Sequence, residues 1–455
     1  MGAHTGVQTG DLTRDATCPV ARSDRSCQMG GLGTTHPKVK ARIHRGASEV
    51  GGSTVELEAD GKRLVLDVGL PLDPSKVRYR DMLPDVPGLW SEGDGSLLGV
   101  LISHGHLDHC GLADLVRPEV PVFMSDAGRS ILDHAAFHNH RWQPPGDTRS
   151  LPLNRSLNLG PFTVTAFRVD HSAYDSRAFL VEAGGKSLVY SGDIRGHGRN
   201  QDWMDNLIEG AAGSDCLILE GTNIGREQSP ETMSSLPDEF AVEDRCTDLF
   251  DRCEGMALAF FSAQNIDRLV SVRNAARRAG RHLILDLYAN DLAKATNDPA
   301  VPSAVDDGVR VYVTESQRRR VLRSGEFERV NYLGESRIFR DEIAEDPSRW
   351  VMLARNSMIG ELARNACLVG ARSVWMSWPG YLEPEFGNSG QELARYGLGP
   401  ELVHTSGHAR VFDLQRLAAG LAPDRVIPIH TNEANAYADL FEGVEVKEDN
   451  EWWEV

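Results

Sequence analysis

A chain of 455 residues, 41% hydrophobic and 25% charged, has the composition of an ordinary soluble globular protein. The length predicts two or three domains, or one domain carrying a large insertion, and no run approaches the ~18–20 consecutive apolar residues that span a bilayer. The formal charge of −18, with seven acids against Lys447 in the last 18 residues, argues against a surface that grips phosphate all over.

Residues 1–36, rich in Gly, Thr, Ser and Arg, predict a disordered leader without a secretory signal. Seven cysteines, none in a C-x-x-C pair, exclude a disulfide scaffold and a zinc ribbon. Their odd count predicts a reducing, cytoplasmic setting. Leu64–Val68, Leu98–Ser103, Phe162–Val169, Ala178–Glu182 and Ser187–Tyr190 then follow as apolar, strand-like runs. Gly184-Gly185 predicts a hairpin turn between the last two, so the first part is expected as a sheet built mainly of hairpins.

After about Gly225 the pattern changes. Met256–Phe261 and His282–Leu287 flank Asn265–Gly280, where Ile266, Leu269, Val270 and Val272 mark a helical face closed by Gly280. Val309–Val313, Val351–Ala354 and Ser373–Ser377 continue the strand–helix alternation of a parallel α/β unit. From Leu402 short strands such as Arg425–Ile429 return, with one helix near Glu433–Phe441. The expected layout is a domain formed by 37–225 and 402–455, with 226–401 inserted into it.

The chemistry concentrates first in Ser103-His104-Gly105-His106-Leu107-Asp108-His109, directly after the strand Leu98–Ile102. His104 and His106 share one side of an extended turn, and Asp108 and His109 are expected to begin a helix that 111–116 continues. Imidazole and carboxylate donors converging where a strand meets a helix are a ligand set that zinc accepts.

With this motif the sequence resembles the metallo-β-lactamase superfamily, and the family's motif order continues along the chain. Asp67 ends an early strand, His171 follows another, Asp193 stands in Ser191-Gly192-Asp193, and His430 ends Ile427-Pro428-Ile429. The resemblance implies that His104, His106 and His171 hold one zinc and Asp108, His109 and His430 a second, with Asp193 bridging and Asp67 orienting a ligand; manganese or magnesium are alternatives. Two such ions suit phosphodiester hydrolysis. Cys110 is either a soft ligand or a buried structural thiol.

The insertion is similar to that of the β-CASP branch, and Phe260–Arg268 through Gly280-Arg281 looks like ribonuclease J. By that resemblance Glu220 and His408 are catalytic, His408 as the general acid toward a leaving 3′ oxygen. Ser406 and the amide of Gly407 or His408 either hold a substrate phosphate or form a tight turn. The chain departs from ribonuclease J at Ser377-Trp378-Pro379-Gly380-Tyr381-Leu382-Glu383, where that family has a glycine-rich segment, and it stops soon after the last motif. A homo-oligomer would therefore form without the family's usual C-terminal domain.

Arg268, Arg273, Arg277, Arg278 and Arg281, and separately Arg318, Arg319, Arg320 and Arg323, are either phosphate contacts or solvated helix faces. Trp375, Trp378 and Tyr381 either stack bases or pack in the core. The expected protein is α/β: a metallo-β-lactamase αββα sandwich with an inserted β-CASP-like parallel α/β domain. Its expected activity is di-zinc cleavage of phosphodiesters in single-stranded RNA, with DNA as another substrate and no membrane partner. The alternative is a hydrolase of this fold acting on a small ester, thioester or nucleotide. A catalytically silent scaffold would show degenerate ligands, and none is missing.

Overall fold

The computed structural model describes residues 38–72, 79–139, 143, 145–226, 229, 235–384 and 387–455. The expected leader at 1–36, with Cys18 and Cys27, lies outside the described residues. In chain order the strands begin with β1 (Lys40–Arg45), β2 (Thr54–Ala59), β3 (Lys62–Leu66), β4 (Leu97–Leu101), β5 (Val122–Met124) and β6 (Thr148–Ser150). Next come β7 (Ser156–Leu159), β8 (Phe162–Arg168), β9 (Arg177–Ala183), β10 (Lys186–Tyr190) and β11 (Cys216–Glu220). Then follow β12 (Ala257–Phe260), β13 (His282–Asp286), β14 (Val309–Tyr312), β15 (Arg337–Ile338), β16 (Trp350–Leu353), β17 (Arg372–Trp375) and β18 (Glu401–Leu402). The last two are β19 (Arg425–Ile429) and β20 (Trp452–Glu454).

Alternation along the strands explains the first two sheets. Successive side chains of a strand face opposite ways, so Ala41, Ile43, Val55, Leu57, Leu64 and Leu66 enter one core. Phe162, Val164, Phe179, Val181, Leu188, Ile218 and Ile427 enter the same core from the facing sheet. The first sheet runs β20-β1-β2-β3-β4-β5-β6 and the second β19-β11-β10-β9-β8-β7. Helix Asp126–His138 sends Leu132 under the outer face of the first sheet. Helices Asp202–Ala211 and Val411–Leu421 cover the outer face of the second. The result is an αββα sandwich.

The expected sheet of hairpins is instead two mixed sheets. Asp60-Gly61 and Gly184-Gly185 do make two-residue hairpins, each residue at positive φ. The links from β3 to β4, β5 and β6 are long enough to cross over, and those strands pair in parallel. Pro428 lies within β19, which is tolerable because β19 is an edge strand.

The third sheet, β15-β14-β13-β16-β12-β17-β18, is parallel throughout. The helix expected over 265–280 spans Ile266–Arg278, and Gly280 has φ +68°. β18 pairs with β17 in this third sheet. Near the C-terminus the expected helix is a 3-10 turn, Ala434–Asp439, while Val411–Leu421, whose Leu414, Leu417, Ala418 and Leu421 carried a readable helical spacing, forms the helix instead. Among the described residues no helix is long and apolar enough to cross a membrane.

Glu56 on β2 is fully buried beside Arg42, His44 and Arg63. Burial alone would raise its pKa, but hydrogen bonds from His44, Arg42 and Arg63 outweigh it and bring the value down to about 2. A carboxylate depressed on folding contributes stability that is present above its unfolded pKa and lost as pH falls through the folded value. Glu56→Gln is therefore expected to lower stability at pH 7 by on the order of 2–3 kcal/mol. It should also flatten the acid limb between about pH 4.5 and 2. Urea unfolding at pH 7 and at acid pH measures both, and parallel acid limbs in the two proteins would refute the assignment.

Candidate metal centre

The centre lies where strand ends of the first two sheets converge. β4 ends at Leu101, and the chain turns through Ser103-His104-Gly105-His106 into a helix of one turn, Leu107–Cys110. The expected continuation over 111–116 is absent: Gly111 closes the turn and Ala113–Leu115 is 3-10. The cause is competition for the carbonyls. Leu70 N–H donates to Leu107 O, Ser53 N–H to Asp108 O and Val68 N–H to His109 O. Gly69 allows this approach, since a Cβ there would sit 1.8 Å from Asp108 O. Cys110, beside the ligands in sequence, points into the apolar core, and burial pushes its thiol pKa well up.

Three overlapping sets of donors form. His104, His106, His171 and Asp193 make one, Asp108, His109, Asp193 and His430 a second, and Asp193, Glu220, His408 and His430 a third. Within each set the donor atoms lie within 4.8 Å of one another.

The hydrogen bonds behind these side chains decide which ring nitrogens face inward. Asp67, at φ +57° just after β3, accepts from Ser103 N (2.7 Å), Ser103 Oγ (2.7 Å), Tyr190 OH (2.7 Å) and His109 Nδ1 (2.8 Å). Because Asp67 accepts at Nδ1–H, Nε2 is the His109 nitrogen that faces the centre, 3.1 Å from Asp193 Oδ2, and against burial the two carboxylates raise the ring's pKa well above its ordinary value. His171 Nδ1 donates to Gly407 O at 2.5 Å, so its Nε2 is the lone-pair nitrogen. Ser103 Oγ spends its proton on Asp67 and can accept from His104 Nδ1 at 3.0 Å, with the same consequence for His104. His430, at φ +53°, is fixed by its N–H to Gly46 O (2.7 Å) and by Nδ1 beside Thr222 Oγ1 (2.8 Å).

Burial lowers the pKa values of His104, His106 and His171. Neutral imidazole is the form that ligates metal. Nε2 of His104, Nε2 of His109 and both carboxylate oxygens of Asp193 are buried without a hydrogen-bond partner among the described residues. Unsatisfied buried groups are expensive, and the five imidazoles within 4 Å of Asp193, the nearest being His109 Nε2 at 3.1 Å, offset its charge without hydrogen-bonding it. Lone pairs and a carboxylate aimed at one point are what a cation satisfies, so the donor set fits a bound metal.

His408 lies beside these donors, with Nδ1 3.3 Å from Glu220 Oε1 and 3.7 Å from Asp193 Oδ2. Burial opposes its imidazolium, but the charges of Glu220 and Asp193 outweigh that and lift its pKa to about 9. Glu220 is itself fixed by amides, Thr222 N at 2.9 Å and Ile194 N at 3.3 Å. Ser406 Oγ accepts from Asn223 Nδ2 (3.0 Å) and from the His408 amide (3.1 Å). That amide is therefore committed to the turn and not offered to a phosphate, while the Ser406 hydroxyl proton is left to donate. Gly407 packs tightly: a Cβ would meet Ser172 Oγ at 2.5 Å.

Sequence reasoning missed the residues behind the site. Asn223 Nδ2 also donates to the carbonyls of His408 and Ala409, and His197 Nε2 lies 3.0 Å from Ser406 O. Their position just after the Glu220 and Asp193 motifs was the available signal. The first arginine cluster is not one exposed face, although Arg277 and Arg278 are exposed. Arg268 and Arg281 are buried, and Arg278 pairs with Asp244 at 2.6 Å. In the second, Arg318, Arg319 and Arg323 are exposed, and Arg320 donates to Phe137 O. Trp375 is buried against Phe260, whereas Tyr381 is half exposed and meets Trp378 edge to face at 5.3 Å.

With this geometry in view, comparison with known proteins is informative. A family described as the beta-lactamase superfamily domain matches residues 73–247, and the Zn-dependent metallo-hydrolase RNA specificity domain matches 401–452. Ribonuclease J of Sinorhizobium meliloti is 25% identical over 398 residues, covering 83% of this chain and 65% of the relative. Ribonuclease J of Mycobacterium tuberculosis is 24% identical over 405 residues, covering 85% and 67%. The chain thus spans about two thirds of the length of these relatives. A crystal structure of a protein of unknown function from Enterococcus faecalis V583 shares the fold, with a TM-score of 0.75 at 20% identity, covering 92% of this chain and 100% of that one.

The αββα fold and these matches make the chain similar to the metallo-β-lactamase superfamily over residues 73–247 and to the RNA specificity domain of such metallo-hydrolases over 401–452. Over most of its length it is similar to ribonuclease J.

Asp67→Ala would strand Ser103, His109 and Tyr190 without their common acceptor. The expected outcome is a loss of metal affinity of about 10–100-fold, with destabilisation of about 3 kcal/mol or more from the unsatisfied donors. Metal analysis after dialysis and chemical unfolding measure the two effects. Unchanged metal retention would remove Asp67 from its positioning role.

Proposed function

We propose that the chain is a di-zinc metallohydrolase that cleaves phosphodiester bonds of nucleic acid, single-stranded RNA foremost. The observation that carries this reading is the convergence of three donor sets on Asp193, whose buried carboxylate is ringed by imidazoles and makes no hydrogen bond among the described residues, with the His408–Glu220 pair beside it. His104, His106 and His171 would hold one ion, Asp108, His109 and His430 the other, and Asp193 would belong to both. When bound, a pair of divalent cations supplies an acidified water as nucleophile and offsets charge building on the phosphoryl oxygens. Manganese or magnesium in place of zinc is the variant to compare by reconstitution.

The chain's own residues supply the rest. Asp67 and Gly407 O fix the rings of His109 and His171, so that the donors do not reorganise during turnover. Glu220 orients His408 through Nδ1, which leaves Nε2 as the atom that can carry a proton to the leaving 3′ oxygen. Glu220, bonded at Nδ1, favours the imidazolium that this proton transfer needs. The Ser406 hydroxyl can donate to a phosphate oxygen of the substrate. RNA as substrate is supported by the name of the domain matched at 401–452 and by the names of the relatives.

The test compares wild type with His408→Ala, each with its metal content measured, on 5′-monophosphorylated single-stranded RNA, the matching DNA and a chromogenic phosphodiester. RNA cleavage that falls about 10²–10⁴-fold in the variant, with both metals retained, is the expected outcome. Turnover of the small diester alone, unchanged in the variant, would overturn both the nuclease reading and the acid role. It would instead favour a small ester, thioester or nucleotide as substrate.

A further inference from the structure

A second polar cavity lies away from the metal centre, in the third sheet. β13 and β16 are parallel neighbours, but the chain leaves their carboxyl ends toward opposite faces. Helix Leu287–Ala295, after β13, buries Ala289, Leu292 and Ala293 in a core shared with Leu283, Leu285 and helix Ile266–Arg278. Helix Asn356–Ala363, after β16, buries Met358, Ile359 and Leu362 on the other face with Ile284 and Met352. In an open parallel sheet such a divergence leaves a crevice at the carboxyl ends, where ligands of these folds bind.

The crevice is present, with a volume of about 290 Å³. Arg355 enters it from the end of β16, Tyr288 from the first turn after β13, Ser316 and Arg320 from helix Glu315–Ser324, and His138 from the end of helix Asp126–His138. Its floor is rigid. Asp286, fully buried at the end of β13, takes both terminal nitrogens of Arg355, one of them at 2.7 Å. Asp286 also accepts from Gln317 Nε2 at 2.6 Å and from Ala289 N at 2.9 Å. The guanidinium so held lies over the Tyr288 ring, 4.6 Å from its centroid, and the His138 ring meets Tyr288 from the side at 5.1 Å. Arg320 is anchored at its other margin through Phe137 O at 2.7 Å.

The cavity is thus lined by two guanidiniums, one of them paired with buried Asp286, with a hydroxyl at its edge and the His138 imidazole, whose Nε2 is held by Asp291 at 2.8 Å. Guanidinium groups fixed before a ligand arrives match phosphate oxygens in geometry and charge, and they lose little freedom on binding. Arg355 is about a third exposed, enough to reach a ligand. We infer that this crevice is a second anion site, separate from the metal centre, that takes the phosphate group of a nucleotide. The nucleotide is either a free nucleoside monophosphate or one residue of a bound RNA strand. Only the strand version rests on the nuclease reading above.

The experiment titrates the full chain with adenosine 5′-monophosphate, inorganic phosphate and adenosine at fixed ionic strength, by calorimetry. The proteins are wild type, Arg320→Ala, Ser316→Ala, Arg355→Lys and His104→Ala. Binding of the monophosphate and of phosphate but not of adenosine, weakened about tenfold or more in Arg320→Ala and Ser316→Ala and retained in His104→Ala, is expected. Metal content and turnover of the small diester should be unchanged in Arg320→Ala and Ser316→Ala. Arg355→Lys removes a bidentate partner from buried Asp286 and endangers the fold, so the partly exposed Arg320 and exposed Ser316 keep the test decisive. Binding that is equal in wild type and Arg320→Ala, or lost only in His104→Ala, or undetectable at millimolar ligand, would overturn the assignment. A second arm measures KM for an RNA of about twenty nucleotides. A several-fold rise in Arg320→Ala at unchanged kcat identifies the strand as occupant, and an unchanged KM with weakened monophosphate binding identifies the free nucleotide. If wild type cleaves no RNA, the nuclease reading fails while the titration still decides the site.

Discussion

The carboxylate of Glu239, buried between two arginines, is the interaction on which the geometry of the centre depends. Arg195 reaches Glu239 at 3.2 Å, Asp170 at 2.5 Å and Asp267 at 2.6 Å, and is itself fully buried. Arg268 bonds Glu239 through Nε and Nη2, and also donates to Met376 O (2.5 Å) and Thr405 O (3.2 Å). Asp170 precedes His171, Arg195 follows Asp193 by two residues, and Thr405 opens the turn that carries His408. Three site-bearing loops are therefore tied to the third sheet through one buried network. Burial raises the pKa of Glu239, but Arg268 and Arg195 outweigh it and hold the value near 2. Such a network is stable only when complete, since removing one partner leaves a buried charge uncompensated at a cost of about 3–5 kcal/mol. Its complete satisfaction here makes it a device for fixing positions more than a source of net stability.

Two strained residues show where that fixed frame is used. Asp67 and His430 both stand at strand ends with φ near +55°, a conformation that side chains other than glycine adopt at a cost of about 1–3 kcal/mol. Each is over-determined by its surroundings. The Asp67 amide donates to Leu101 O while its carboxylate takes four donors, and the His430 amide donates to Gly46 O. The strain turns the side chain away from the strand axis and into the space between the sheets' ends. A β conformation at either position would direct the group toward a sheet face.

How much of this was legible follows from the range over which each feature is determined. The motif from His104 to His109 occupies six residues, so spacing alone suggested a metal site. Asp67, His171, Asp193 and His430 were found by their order at strand ends, which a local pattern with a family resemblance can supply. The fate of Arg268 was not legible, because its partners Glu239 and Thr405 lie 29 and 137 residues away. Helical periodicity marks it as a charge on a helix and says nothing of a buried acceptor. The interrupted helix after Cys110 failed for the same reason: its carbonyls are taken by residues 53, 68 and 70, close in space but distant in sequence.

The same distinction bears on how an acidic chain could meet the polyanion of the proposed function. Two of the arginines that read as a basic patch, Arg268 and Arg281, are internal struts, buried and bonded to a carboxylate or carbonyls, as is Arg195. The chain as a whole carries a formal charge of −18, which opposes phosphate except where cationic groups are gathered locally. Asp286 under Arg355, at the crevice, and Glu220 beside His408, at the metal centre, are two instances of a buried carboxylate that orders a cationic group. Recognition built this way depends on few charges at fixed positions, so it gains discrimination by geometry and gives up the broad attraction that a basic surface would provide.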